Sequence, residues 1–263
     1  MCRSVLNAKH VIDDPIADSL LHRPHRVLAR WMQLPLLSRL ASSPTFTFLA
    51  ARTLFFDAQT TAALDHDVGQ VVIVGAGYDS RTWRLARAGA AFYEVDHPAT
   101  QADKQRLAAT PGPVYVAADL MCERVLALLP AAGFQSERPA VFIVEGLTMY
   151  LPEETVSALL SDLAEIAAPG SRLAVNFTVQ GGGSASGASR AIAWLTRRTW
   201  RWRGEPTYGW VDPDTIPDLL NVAGWTVSET LSAPELASRY LRDTDLRTDG
   251  LNPGAICVAA ILH

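Results

Sequence analysis

The sequence predicts an α/β fold: a doubly wound, mostly parallel sheet of seven strands, preceded by a helical cap. Three observations carry that expectation. From Gln70 onward, short apolar runs alternate with helical stretches, the rhythm of parallel strands joined by crossover helices. The first run, "VVIV" at 71–74, passes into Gly75 and Gly77, a glycine turn between strand and helix. Acidic residues then recur where strands end, at Asp96, Asp119 and Glu145.

The elements follow in order. Residues 1–67 show helical periodicity broken by Pro15, Pro24, Pro35 and Pro44, and read as the cap; 68–263 read as the ligand-binding domain, the two forming one unit. Strands are expected at 70–75, 91–96 ("AFYEVD"), 113–118 ("PVYVAA"), 140–145 ("AVFIVE") and 172–178 ("RLAVNFT"). Helices are expected between them, over 80–89, 98–109, 122–131 and 153–167. A helix at 213–222 and a further helical stretch accompany two late strands, near 225–231 and 255–262. The Gly/Ser tract "GGGSASGAS", 181–189, interrupts this rhythm and leads into a stretch with Trp194, Trp200, Trp202 and five arginines. It reads either as a loop before a surface helix or, within 180–210, as a lid whose core is 180–203.

Composition narrows the function. With 263 residues, 49% hydrophobic and 19% charged, the chain can bury a sizeable core. A net charge of -4 argues against a nucleic-acid partner, whose phosphates call for a basic face. No apolar run approaches a membrane span, and the N-terminus lacks a signal-peptide core. Cys2, Cys122 and Cys257 are scattered without metal-ligand spacing and read as reduced thiols of a cytoplasmic protein that holds no metal. Lysine occurs only at 9 and 104, so arginine carries most of the positive charge, a hint of a GC-rich bacterial genome.

The glycine turn raises the choice of nucleotide. A dinucleotide fingerprint places a third glycine where this chain has Ser80. S-adenosylmethionine has no phosphate; it offers a carboxylate, a cationic sulfonium and a ribose diol. Its site needs the first turn glycines and acids at the strand ends, without the third glycine. Asp96, nineteen residues after Gly77, stands where either cofactor class places its ribose acid. Asp119 and Glu145 at the next strand ends favour the cationic cofactor. Simpler roles compete: Asp79 or Ser80 as a helix cap, and Asp119 as the cap of a helix from 122. Glu145 is harder to explain so, because a carboxylate ending an apolar strand is costly without a partner.

"VVIVGAGYDSRTWRL", "YEVDHPATQADK", "AADL" and "VEGLTMYLPEE" come in the order and spacing of the leucine carboxyl methyltransferase family. The chain most resembles its bacterial branch of SAM-dependent and polyketide O-methyltransferases. "IDDPIADSLL" and "LAARTLFFD" extend the resemblance over roughly residues 1–180, and "LLNVAGWTV" at 219–227 fits loosely. The resemblance implies the Rossmann-like fold of class I SAM-dependent methyltransferases. It also implies a cofactor carboxylate on Arg52, a turn at Gly75 and Gly77, Asp96 on the ribose, and Asp119 with Leu120 around the adenine. Asp79 joins this set, Glu145 opens the last cofactor motif, and Tyr150 stands at the substrate side as the catalytic candidate. Arg3 and Lys9 compete for an N-terminal basic contact. One departure stands out: Met121, Cys122 and Glu123 occupy the stretch where the family carries an arginine, which puts carboxyl methylation in question.

The expected activity is O-methylation of a small molecule, a carboxylic acid or a polyketide hydroxyl. A carboxylate needs no base, whereas a phenol, with a pKa of about 10, does; Tyr150 and His97 are the candidate helpers. The alternatives are protein carboxyl methylation and an NAD(P)-dependent oxidoreductase, although Lys104 has no tyrosine four residues before it to serve hydride transfer. The oligomeric state stays open.

Overall fold

Five of the apolar runs form the parallel part of a seven-stranded sheet: β1 (Gln70–Val74), β2 (Ala91–Asp96), β3 (Val114–Ala117), β4 (Ala140–Val144) and β5 (Arg172–Thr178). Two later strands, β6 (Thr226–Ser232) and β7 (Ala255–Ile261), complete the order β3-β2-β1-β4-β5-β7-β6, with β7 antiparallel to both its neighbours. The computed structural model describes residues 4–6, 11–32, 44–108, 111–179, 208, 211–246, 248, 251 and 254–263. The expected lid core at 180–203 lies outside the described residues.

Alternation of side chains divides the core into two layers. Val72, Val74, Tyr93, Val95, Phe142 and Val144 point to one face, where Leu129, Leu160, Leu163 and Leu220 cover them. These come from α5 (Val125–Ala131), α6 (Glu153–Glu165) and α7 (Ile216–Val222). Trp225, fully buried in this layer, donates its indole N–H to the carbonyl of Leu160 at 2.9 Å. Val71, Ile73, Phe92, Val141 and Ile143 point to the other face. There they meet Phe55, Phe56 and Ala63 of the long N-terminal helix, and Leu236 and Ala237 of a late one. α1 (Arg23–Met32) lies outside both layers, whereas α2 (Pro44–Asp65) and α8 (Ala233–Tyr240) form the second layer. Leu6, Ile12, Phe55 and Phe56 of the N-terminal region thus pack in the same buried layer as side chains of β1 and β4.

The helix expected at 80–89 is one turn, α3 (Arg81–Arg84). The long α2 takes the face that a full crossover helix would cover, and Asp57 of α2 pins both Arg81 and Arg84. The helix expected from 122 begins at Val125, because the Asp119 backbone carbonyl accepts from Cys122 and Glu123 in a tight turn first. The helix expected at 213–222 divides into a 3-10 turn, Pro213–Thr215, and α7.

Register sets the ends of the central strands level. Val74 pairs with Val95 and with Val144, so Gly75, Asp96 and Glu145 leave the sheet side by side along one edge. Behind that edge, Glu94 of β2 is fully buried. Lys104 of α4 (Pro98–Leu107) lies 2.5 Å from its carboxylate, and the Thr82 hydroxyl donates to it at 3.0 Å. Burial raises the Glu94 pKa from the ordinary 4.5 to about 7, although Lys104 and Thr82 pull it down.

The sign of that shift gives a test. Between 4.5 and about 7 the folded chain binds the Glu94 proton more tightly than the unfolded chain does. Its contribution to stability is therefore full below that window and is lost as pH rises through it. Urea unfolding across the window should show this falling component in the wild type and not in Glu94→Gln/Lys104→Met. Identical slopes in the two proteins would refute it.

Candidate cofactor site

The edge holding Gly75, Asp96 and Glu145 opens between β1 and β4, where the strand order reverses and crevices form in sheets of this kind. Gly75 and Gly77 have φ of +68° and +49°, a conformation that side chains resist. The turn is stitched to β2: Gly75 and Ala76 N–H donate to the carbonyl of Val95 at 2.8 and 3.2 Å, and Gly77 N–H donates to the Asp96 carboxylate. His97 N–H donates to the other Asp96 oxygen at 2.6 Å.

Two hollows meet at Gly75. The larger, about 250 Å³, is walled by Arg52, Thr53, Gly75, Ala76, Tyr78, Asp79 and Glu145, with Ser4, Asp14, Ala17, Leu20 and Leu21 of the N-terminal segment closing it. The smaller, about 130 Å³, is walled by Gly75, Asp96, His97, Asp119, Leu120, Met121, Leu147 and Leu151. Of the residues singled out in the sequence, Arg52, Gly75, Asp79, Asp96, Asp119, Leu120 and Glu145 thus share one lined crevice. Gly77 stands behind it, holding Asp96. Tyr150 ends the 3-10 turn Thr148–Tyr150, half-buried, and is not among the described wall residues, although Leu147 and Leu151 on either side of it are.

Partners refine the individual roles. Glu145 has the partners its burial requires: Oε1 accepts from Arg52 Nε at 3.0 Å, and Oε2 lies 2.7 Å from Arg81 Nη1. Among the described residues the two Arg52 Nη atoms make no hydrogen bond. They lie 3.5 and 3.4 Å from where a Cβ on Gly146 would stand, a paired fork of donors beside a bare backbone. Asp79 accepts Arg81 N–H at 2.6 Å, as a helix cap does, and also faces the Arg81 guanidinium. Ser80 makes no capping bond; it donates to Asp14 and accepts from Arg84 at 3.0 Å. A glycine there would lose both bonds, including the one to Asp14 in the wall of the larger hollow. Asp119 accepts Met121 N–H at 3.0 Å in its own turn and does not cap α5. His97 Nδ1 accepts Ala99 N–H at 3.2 Å and caps α4.

Several contributors had no legible signal. Arg81 is fully buried, and its partners Asp57 and Glu145 are remote in sequence. Asn176 of β5 accepts Gly146 N–H at 2.6 Å and its carbonyl accepts from the Thr148 hydroxyl at 2.8 Å, fixing the loop after β4. Tyr78 donates to Asp103 at 2.6 Å, and His22 meets the same oxygen at 2.6 Å, which fastens the N-terminal wall to the turn. Burial and then Asp103 push the Tyr78 hydroxyl up to about 12, so it stays protonated.

The crevice fits S-adenosylmethionine by the chemistry of its donors. A guanidinium fork suits a carboxylate, a carboxylate seated on the turn suits a diol, and Asp119 with Leu120 suits a purine with an amine.

Residues 2–164 match the family described as leucine carboxyl methyltransferase. A candidate S-adenosyl-L-methionine-dependent methyltransferase of Mycolicibacterium gilvum is 39% identical over 216 residues, covering 78% of this chain and 69% of that protein. Another so described, from a Mycobacterium species, is 39% identical over 160 residues; that match covers 58% of this chain and 52% of the relative, about half its length. Among solved structures, a candidate methyltransferase of Thermobifida fusca superposes with a TM-score of 0.62 at 16% identity, over 100% of this chain and 94% of that one, a likeness of fold.

The turn itself is testable. A Cβ at Gly75 would stand 2.9 to 3.1 Å from the Leu147 side chain, whereas one at Gly77 would meet nothing within 4 Å. Gly77→Ala should cost only the left-handed conformation, about 1–2 kcal/mol. Gly75→Ala should cost that and the displacement of Leu147, and melt several degrees lower in thermal unfolding. Equal melting temperatures would mean that Leu147 yields freely.

Proposed function

The chain belongs to the leucine carboxyl methyltransferase family, and on that premise we propose that it methylates an oxygen of a small molecule. It is an S-adenosylmethionine-dependent methyltransferase, as its family and relatives are. The observation that carries the site assignment is the Arg52 fork, held by Glu145 and facing the larger hollow where the glycine turn begins.

The bound cofactor supplies a methyl group on a cationic sulfonium, open to in-line displacement. Arg52 holds its carboxylate, Asp96 its diol, and Asp119 with Leu120 the adenine, while Gly75 lets the backbone approach closely and Gly77 holds Asp96 in place. The N-terminal segment lines the larger hollow beside Arg52, where excluding water would strengthen the contact with the carboxylate. Tyr150 flanks the acceptor side beyond Leu147.

A carboxylic acid is the favoured acceptor, and its product a methyl ester. Neither candidate base is suited to deprotonate a phenol. Tyr150 is not among the described wall residues, and the His97 ring, accepting at Nδ1, carries its neutral-state proton on the only other nitrogen. A hydroxyl acceptor is the second reading, favoured by Met121 standing without charge where the family carries an arginine. The nicotinamide-dependent alternative finds no support in the family, and a protein acceptor finds none in these residues. We place the enzyme in a bacterial cytoplasm, consistent with its scattered thiols, and the N-terminal region with the sheet as one catalytic unit.

Calorimetry should show S-adenosylhomocysteine binding and no nicotinamide dinucleotide binding; the reverse would refute the cofactor assignment. Asp96→Ala should weaken binding by about 1.5–3 kcal/mol, the scale of a hydrogen bond to a charged group. Arg52→Lys should also lose affinity, since an ammonium cannot reproduce the fork. With methyl-labelled cofactor and a panel of acids and phenols, label in a base-labile ester supports the carboxylate reading. Label in a base-stable ether supports the hydroxyl reading instead.

A further inference from the structure

Arg81 is a guanidinium without solvent contact, set between three elements of the crevice. Its Nε lies 2.6 Å from Asp57 Oδ1, its Nη1 lies 2.5 Å from Asp79 Oδ2 and 2.7 Å from Glu145 Oε2, and its Nη2 donates to the carbonyl of Thr53 at 3.2 Å. Phe56 packs on its face, 5.6 Å from ring centre to Cζ. These contacts converge on Arg52. Thr53 is the next residue of α2 and Asp57 lies further along the same helix, so Arg81 anchors the backbone from which Arg52 springs. Glu145 takes Arg81 on one oxygen and the Nε of Arg52 on the other, so Arg81 also fixes the group that orients the fork. Phe48 lies 5.7 Å beneath the Arg52 guanidinium and completes its support.

We propose that Arg81 is the positioning residue that sets the Arg52 fork and thereby makes the crevice select ligands bearing the amino-acid carboxylate. This rests on the proposed role of Arg52. Lysine at 81 keeps the charge but offers one ammonium in place of a planar fork. It cannot meet Asp57, Asp79, Glu145 and the Thr53 carbonyl together. Glu145 would then turn, the Arg52 fork would lose its fixed direction, and the bidentate geometry would be lost without any change in the ribose and adenine contacts.

The test compares two ligands by calorimetry. S-adenosylhomocysteine carries the carboxylate; 5′-methylthioadenosine keeps the adenine, ribose and sulfur but lacks it. The wild type should prefer the first by at least about tenfold, and Arg52→Met should abolish most of that preference. Arg81→Lys should reduce the preference toward the Arg52→Met level and leave 5′-methylthioadenosine affinity within about twofold. In an Arg52→Met background, Arg81→Lys should change the preference no further. Asp57→Asn, which loosens Arg81 from outside the hollows, should produce a smaller loss in the same direction, and serves if Arg81→Lys fails to fold. General structural damage would lower both affinities together. A preference retained in Arg81→Lys and Asp57→Asn, while Arg52→Met abolishes it, overturns the inference and leaves the role of Arg52 standing. A preference unaffected by Arg52→Met overturns the role of Arg52 itself.

Discussion

Removing a guanidinium from water costs several kcal/mol or more unless carboxylates and carbonyls replace the lost hydration. Arg81 imposes that condition at the top of β1 and β4. Asp57, Asp79 and Glu145 answer it, and each belongs to a different part of the chain: the N-terminal helix, the glycine turn and the end of a central strand. Burial works against the charge on Arg81, and the three carboxylates more than offset it, holding the pKa above its already high ordinary value. Removing any partner would leave a buried charge poorly matched, so the three segments are kept in register by one electrostatic requirement. The open fork of Arg52 and the seating of Ser80 and Arg84 against Asp14 both lie at the margin of this cluster.

Topology determines why the cluster lies where it does. β1 has β2 on one side and β4 on the other, and the loops after β1 and β4 leave in opposite directions. The gap between them admits a ligand without breaking any strand pairing. Because Val74, Val95 and Val144 are level, three residues separated widely in sequence reach that gap together. The short crossover after β1 then matters. With only one helical turn there, α2 can lie against the sheet and bring Arg52 and Asp57 to the same edge.

Much of this was legible in the sequence, for specific reasons. Apolar runs that continue for four or five residues and end in glycine or acid announce buried parallel strands, and β1 and β4 lie where those runs fall. The acids at strand ends marked the crevice because carboxylates are expensive there. The missing third glycine was informative too: Ser80 is a hydroxyl with two partners, not a neutral replacement. What stayed hidden depends on contacts between remote residues. Nothing local distinguishes Arg81, fully buried, from Arg87, whose side chain is nearly half exposed, because the difference lies in Asp57 and Glu145. The expected helix at 80–89 failed for the same reason, since its shortening follows from a helix packed against it from an earlier segment. The N-terminal segment had periodicity but no sign that it would wall the crevice, a role made by Asp103 receiving both His22 and Tyr78.

Position in the sheet and position in the chain disagree at one edge. β7 lies between β5 and β6, and among the described residues β6 has no other strand beside it. During synthesis, β1 to β5 emerge as a self-consistent parallel block, with each interior strand already flanked. β6 emerges next and has nothing to pair with until β7 slots in against β5. Until then the nascent chain carries open edges at β5 and β6 that β7 later covers, each capable of pairing with the wrong partner. Closing that edge is a long-range event, late by geometry, whereas the crevice between β1 and β4 can be assembled before it.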